Sequence, residues 1–259
     1  MASWASRRRT IYGSVIGLIL IVGIAIPAFL YFYKAPTCSD RIQNGDEFGV
    51  DCGGSCVLLC QSSFKPPKIV WGGTKFEKVA EGLYNAAAYI ENPNINGAAI
   101  NVPYKMAFFD ASGILITEKT GVVTLPAHRN ALAFNTAIDM GKRIPAKATF
   151  EFLAAPVWFK SHDVLEGLAV TDKKYQEDEK SSSLEVTLEN RNLIPYKNIV
   201  VSVILSDIDG NAIGFSRTTI DEIAPKNGQE VAPYTWPFSR GGKVATVEVV
   251  PEVWPTLDR

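Results

Sequence analysis

The sequence predicts an all-β fold: two tandem β-sandwiches behind one N-terminal transmembrane helix and a small disulfide-rich module. Three observations predict it. Residues Thr10 to Tyr33 carry no charge. All four cysteines fall between Cys38 and Cys60. Beyond them, matching segments recur about 97 residues apart, and each copy is rich in short β-type runs punctuated by turns. The implied layout is a 1–9 N-terminus, a 10–33 span, a 34–62 cysteine module, a first sandwich over 63–158 and a second over 159–259.

The uncharged run is 24 residues long, about 36 Å of helix at 1.5 Å per residue, against a hydrocarbon core of roughly 30 Å. Arg7, Arg8 and Arg9 precede it and only Lys34 closes it. The positive-inside bias therefore predicts a single-pass signal anchor in the cell membrane, N-terminus cytoplasmic and bulk extracytoplasmic. A cleaved signal peptide has a shorter apolar core and small residues at its exit. Here the exit is Phe29-Leu30-Tyr31-Phe32-Tyr33, and Trp4 and Tyr12 suit the inner interface. Pro27 is tolerated, since membrane helices accept proline. Removing the three arginines from 26 basic residues leaves 23 against 27 acidic ones beyond position 33. That mild negative balance argues against a nucleic-acid partner. Thirteen asparagines produce no N-x-S/T sequon.

Outside the membrane, an even and clustered cysteine set reads as two disulfides among Cys38, Cys52, Cys56 and Cys60, with three pairings open. The spacing does not match C-x2-C zinc pairs. The same stretch holds Asp40, Asn44, Asp46, Glu47 and Asp51 among glycines, oxygen ligands that would suit calcium. The EF-hand template fails, because Ile42 would occupy a position that needs an acid. The competing reading is a disulfide-stapled knot whose acids cap turns. The pattern C-x-D-x-x-x-N-G-D-E-x-G-x-D-C-G-G-x-C resembles a short module of bacterial cell-surface proteins. The segment Gln61 to Lys68, with Pro66-Pro67, predicts a stiff stalk.

The recurrence pairs Glu91-Asn92 with Glu189-Asn190, Asp110-x-x-Gly113 with Asp207-x-x-Gly210, Pro126 with Pro225, and Val157-Trp158 with Val253-Trp254. Leu184 to Leu188 alternates cleanly, while Val200 to Leu205 does so only loosely. Each Asp-x-x-Gly predicts a hairpin turn in which the carboxylate caps its own backbone. Lys173 to Ser183 reads as a solvated loop, and Phe159 to Asp163 as a short hinge. Met106-Ala-Phe-Phe-Asp110 and, with Ser206 replacing an aromatic, Val203-Ile-Leu-Ser-Asp207 resemble the F-x-L-Y-D strand and turn of small bacterial immunoglobulin-like domains. The resemblance implies tandem immunoglobulin-like sandwiches serving in extracellular scaffolding or binding.

Catalytic signatures are sparse. There is no G-x-S-x-G elbow, phosphate loop or H-E-x-x-H, and the two histidines are His128 and His162. A hydrolase using His162, Asp163 and a distant serine is the minority reading. Trp158 and Trp254 recur and read as core plugs. Trp71 and Trp236 do not recur, which makes them partner-binding candidates. Trp236 sits in a proline-aromatic cluster that reads first as a protected edge strand. The expected function is a non-enzymatic envelope protein that binds or scaffolds a protein or envelope polysaccharide. An accessory subunit of an envelope assembly or secretion machine, with Gly13-x-x-x-Gly17 as helix interface, is the alternative.

Overall fold

A computed structural model describes residues 4–32, 37–162 and 165–253. Helix α1 covers Trp4–Phe32 with Pro27 inside it. Its Arg7–Phe29 stretch is long and apolar enough to be a membrane span or a signal sequence, and none of it is buried against the rest of the chain. Tyr33, Lys34, Asp163 and Trp254 lie outside the described residues.

Fourteen strands follow. The first sandwich uses β1 (Lys68–Ile69), β2 (Lys75–Ala80), β3 (Leu83–Glu91), β4 (Gly97–Phe109), β5 (Leu115–Leu125), β6 (Asn130–Asp139), β7 (Lys147–Phe152) and β8 (Trp158–Lys160). In one sheet β3 pairs with β1, β2 and β6; in the other β4 pairs with β5, β7 and β8. The second uses β9 (Leu168–Glu177), β10 (Ser182–Asn190), β11 (Tyr196–Ser206), β12 (Ala212–Ile223), β13 (Gly228–Trp236) and β14 (Thr246–Glu252). Here β10 lies between β9 and β13, and β11 between β12 and β14. The six shared strands are connected in the same way in both sandwiches, with every pairing antiparallel.

Alternation along the central strands fills each core. Tyr84, Ala86, Ala88 and Ile90 of β3 face Val102, Tyr104, Met106 and Phe108 of β4. Leu184, Val186 and Leu188 of β10 face Ile199, Val201, Val203 and Leu205 of β11. The turns match as well. Asp110 Oδ1 accepts the N–H groups of Ser112 and Ile114, and Asp207 Oδ1 those of Asp209 and Asn211. Buried Asn92 donates to the Gly97 and Pro126 carbonyls, and buried Asn190 to those of Ile194 and Ile223. The last strands set a different register from the one the tryptophans suggest. Phe150 lies opposite Met106 and Val249 opposite Val203, so position 253 falls level with Ala154, and Trp158 stands instead on the extra strand β8.

The capped turns also fix an acid limb. Backbone N–H groups, Ile114's first, hold the Asp110 carboxyl below the usual carboxylate range, and Asn211 does the same for Asp207. A depressed carboxyl stabilises the fold above its unfolded pKa, and that contribution is lost as pH falls through the folded value. Asp207→Ala is therefore expected to lower the urea midpoint modestly at neutral pH. Its deficit against the parent chain should vanish below the usual carboxylate range. A deficit unchanged down to the acid limb would remove the capping argument.

Three expectations change. Lys173 to Ser183 is not one loop: Lys173 to Glu177 pairs with Ser182 to Val186, leaving a tight turn between. Lys173, Lys174 and Glu177 sit on the edge strand β9, where they discourage pairing with other chains, and Asp178, Glu179 and Lys180 occupy the connection to β10. The hinge begins later than Phe159, because Phe159 and Lys160 pair with Ala98 and Gly97 in β8. Nor is Gln61 to Lys68 a free stalk. Phe64 stacks on Trp158 at 5.6 Å, and Asn94 bonds both the N–H and the carbonyl of Lys65. Apolar contact at Phe64 outweighs the stiffness of the prolines that follow it.

Candidate functional site: the seam between the sandwiches

The β3 run Ala86 to Ile90 is buried on both faces, and so is Val201 to Leu205 of β11. One face of each fills its own core. The other faces meet in a third apolar cluster, built from Ala87, Tyr89 and Leu132 of the first sandwich and Ile204, Phe215 and Val250 of the second. Double burial explains why Val200 to Leu205 alternates so poorly.

Trp71 belongs to this seam, 5.5 Å from the Tyr89 ring and 6.4 Å from that of Phe215. It joins the chain to itself, which corrects its assignment as a partner-binding residue. Trp236 is 2% exposed inside the second core, its Nε1–H directed to the Phe215 carbonyl. Its place on the edge strand β13, beside exposed Pro233, agrees with the protected-edge reading, and burial removes it as a contact residue.

Polar groups cross the seam at three points. Glu77 and Arg240 pair at 2.7 Å, with side chains only 9% and 8% exposed. Arg240 also donates to the Ile213 carbonyl and lies 4.4 Å from the Phe238 ring centre. Gly214 permits that route, since an added Cβ would stand 2.6 Å from Arg240 Nη2. Burial pushes the Glu77 carboxyl up, partly offset by Arg240. Second, the Tyr89 hydroxyl donates to Glu248 Oε1 and accepts from Asn130 Nδ2 at 2.6 Å. Burial first, then the Glu248 carboxylate, raises the phenol far above its usual range, so it remains a donor. Third, Arg217 donates to the Leu132 carbonyl and to Ser202 Oγ, and lies 3.5 Å from Glu252, which accepts the Leu132 N–H. Burial raises Glu252 as well.

Two clefts open along this line. One, of about 190 Å³, has apolar walls from Val122, Val123 and Val200 over the Arg217–Glu252 pair. Its lining includes Asn101 and Asn198, both at positive φ (54° and 51°), Asn101 at a register shift between β4 and β5. Such backbone strain gathers at functional positions. The other, of about 270 Å³, is lined by Tyr89, His128, Arg129, Asn130 and Glu248. The groups present can hold a polar or partly apolar ligand.

The cysteine knot sits apart from the seam. The bridges are Cys38–Cys56 and Cys52–Cys60, one of the three pairings open to the sequence. Of the five calcium candidates, the four acids accept bonds in the knot's own turns, while Asn44 Oδ1 has no partner among the described residues. Asp51 accepts the Arg41 N–H, and Asp40 accepts the Ile42 N–H and Asn44 Nδ2. Glu47 accepts the N–H groups of Asn44 and Asp51, and Asp46 accepts the Ser55 hydroxyl. These bonds fit the turn-capping reading. The one metal-type cluster among the described residues, Cys38, Glu47 and Cys56, has both its sulfurs in a disulfide. His162 stands near the end of the first sandwich, where Ser161 donates to its carbonyl, and its expected partner Asp163 is outside the described residues.

The seam residues Glu77, Tyr89, Arg217, Arg240, Glu248 and Glu252 escaped the sequence reading. A charged residue in a strand reads as solvent-facing, and only the apolar run on β3 and the loosely alternating one on β11 hinted at a second buried face.

No family model matches the chain, and no curated protein matches it. Among solved structures, the chain is similar to a transglutaminase of red sea bream, at 11% identity and a TM-score of 0.23, over 73% of this chain and 29% of that one. It is similar also to a β-glucuronidase of glycoside hydrolase family 2, at 10% identity and 0.24, over 85% and 29%. A putative β-galactosidase of Bacteroides fragilis gives 12% and 0.20, over 66% and 32%. The chain spans less than a third of the length of each, and similarity at this level carries no functional argument.

Proposed function

We propose that this chain is a single-pass envelope protein, anchored by α1 with its N-terminus in the cytoplasm, whose extracytoplasmic part binds or scaffolds a partner without catalysis. The observation that carries this reading is the seam. The two sandwiches share an apolar cluster and a buried ion pair, contacts that favour one fixed arrangement, and preorganisation of that kind suits a scaffold behind an anchor. The two disulfides suit an oxidising compartment. The likeness to surface modules and immunoglobulin-like domains supports the same reading, with a protein or an envelope polysaccharide as partner.

The second reading is an accessory subunit of an envelope assembly or secretion machine that docks through α1. Gly13, Gly17 and Gly23 favour it, because beyond the helix's own adjacent backbone nothing lies within 4 Å of a Cβ placed at any of them.

Cross-linking of the full-length chain in its native envelope, followed by affinity capture, separates the two. Capture should survive replacement of α1 by an unrelated span. It should fall when Val122→Asp places a charge on the wall of the smaller cleft. Loss of capture on helix replacement alone would favour the second reading; a Val122→Asp chain that captures normally would move the contact away from the cleft.

A further inference from the structure

The knot docks on the first sandwich: Lys160 donates to the Val57 carbonyl, the Leu59 N–H to that of Trp158, and Leu58 bridges to Phe159. Away from those contacts Ile42, Phe48 and Val50 are 54%, 78% and 55% exposed. They sit on stapled loops. The Asp51 carboxylate accepts the Arg41 N–H, which brings the bend at Ile42 beside the turn at Val50. Phe48 lies against Gly53, where an added Cβ would stand 2.8 Å from its ring and where φ is +78°. Its N–H donates to the Cys52 carbonyl at 3.0 Å, next to the Cys52–Cys60 bridge. Three apolar side chains are thus held outward in a module otherwise dense in polar groups, an arrangement that marks a contact surface.

The tether decides what that surface meets. Helix α1 ends at Phe32, and the knot begins at Thr37. Five Cα steps reach at most about 18 Å even fully extended. The headgroup layer adds only about 5–7 Å beyond the hydrocarbon on each side. A knot so tied to the end of a spanning helix stays within reach of the bilayer surface, and its contacts with the sandwich are already made.

We propose that Ile42, Phe48 and Val50 form a second membrane contact, resting in the headgroup region of the leaflet from which α1 emerges. This rests on the anchor reading above. The aromatic ring of Phe48 suits that interface, and the two aliphatic side chains flank it. The contact fixes the direction in which the sandwiches leave the membrane, which a single helix with a short tether does not.

The test uses the full-length chain in phosphatidylcholine nanodiscs, with photoreactive benzoylphenylalanine replacing Phe48, and in separate chains Val50 or the exposed turn residue Ile208. Disulfide mapping verifies that each chain has folded. Irradiation should yield lipid adducts at 48 and 50 several-fold above those at 208. Protein adducts or none at both knot positions, in a chain that resists carbonate extraction, would overturn the contact and leave the anchor standing. A chain released by carbonate would overturn the anchor reading, and this proposal with it.

Discussion

Glu77→Ala is expected to be among the most damaging single changes outside the two cores. It leaves the Arg240 guanidinium buried beside Phe238 with its carboxylate partner gone. Removing one member of a buried pair costs about 3–5 kcal/mol, which corresponds to a melting shift of roughly 6–20 °C in a chain of this size. The damage should centre on the seam, so calorimetry is expected to resolve two transitions where the parent shows one. A double replacement, Glu77→Leu with Arg240→Met, should regain much of the loss, because two apolar groups need no desolvation offset. A single variant that melts with the parent would show that the pair does not hold the sandwiches together. Mild acid is not expected to mimic the mutation. Burial raises the Glu77 carboxyl, so its linkage contribution is present below the unfolded pKa and is lost only as pH rises through the folded value.

Trp236→Ala should be comparably severe for a different reason. The indole fills the second core, stacks on Tyr234 at 6.4 Å and donates toward the Phe215 carbonyl. Truncating a buried tryptophan costs about 3–5 kcal/mol through lost contact and the cavity left behind. Urea unfolding should show a lower midpoint at an unchanged slope. Trp236→Phe should recover most of the packing and lose only the indole donor. An unchanged midpoint for Trp236→Ala would put the side chain outside the core. The consequence for binding work is direct: loss of partner capture by this variant would report a damaged sandwich, whereas Val122→Asp alters a surface.

The difference between those two positions shows where the sequence stops. Trp236 and Trp71 drew notice because neither recurs, yet absence from the other copy says nothing about exposure. Trp236 faces inward by its parity on β13, with Ala232 and Tyr234, and parity needs the strand's pairing partner before it can be read. Trp71 lies just after β1, and part of what covers it, the Phe215 ring, belongs to the other sandwich. Asp110 and Asp207 could be read correctly, because an Asp-x-x-Gly turn is closed by atoms within four residues of the carboxylate. Counting acids, by contrast, says nothing of where their oxygens point, and in the structure Asp40, Asp46, Glu47 and Asp51 accept bonds from donors within the knot.

What the sequence alone determined is what short-range chemistry controls: the apolar helix, the capped turns, the strands and the all-β architecture. Each depends on periodicity, on the reach of a side chain to its own backbone, or on a charge-free length. Only the tertiary structure decided the disulfide pairing, the docking of the knot on β8 and the burial of Glu77 with Arg240. Those contacts join residues as much as 163 positions apart, and neither partner's local sequence carries a sign of the other. A strand's period states that it has two faces; which of them meets water depends on what the rest of the chain packs against it.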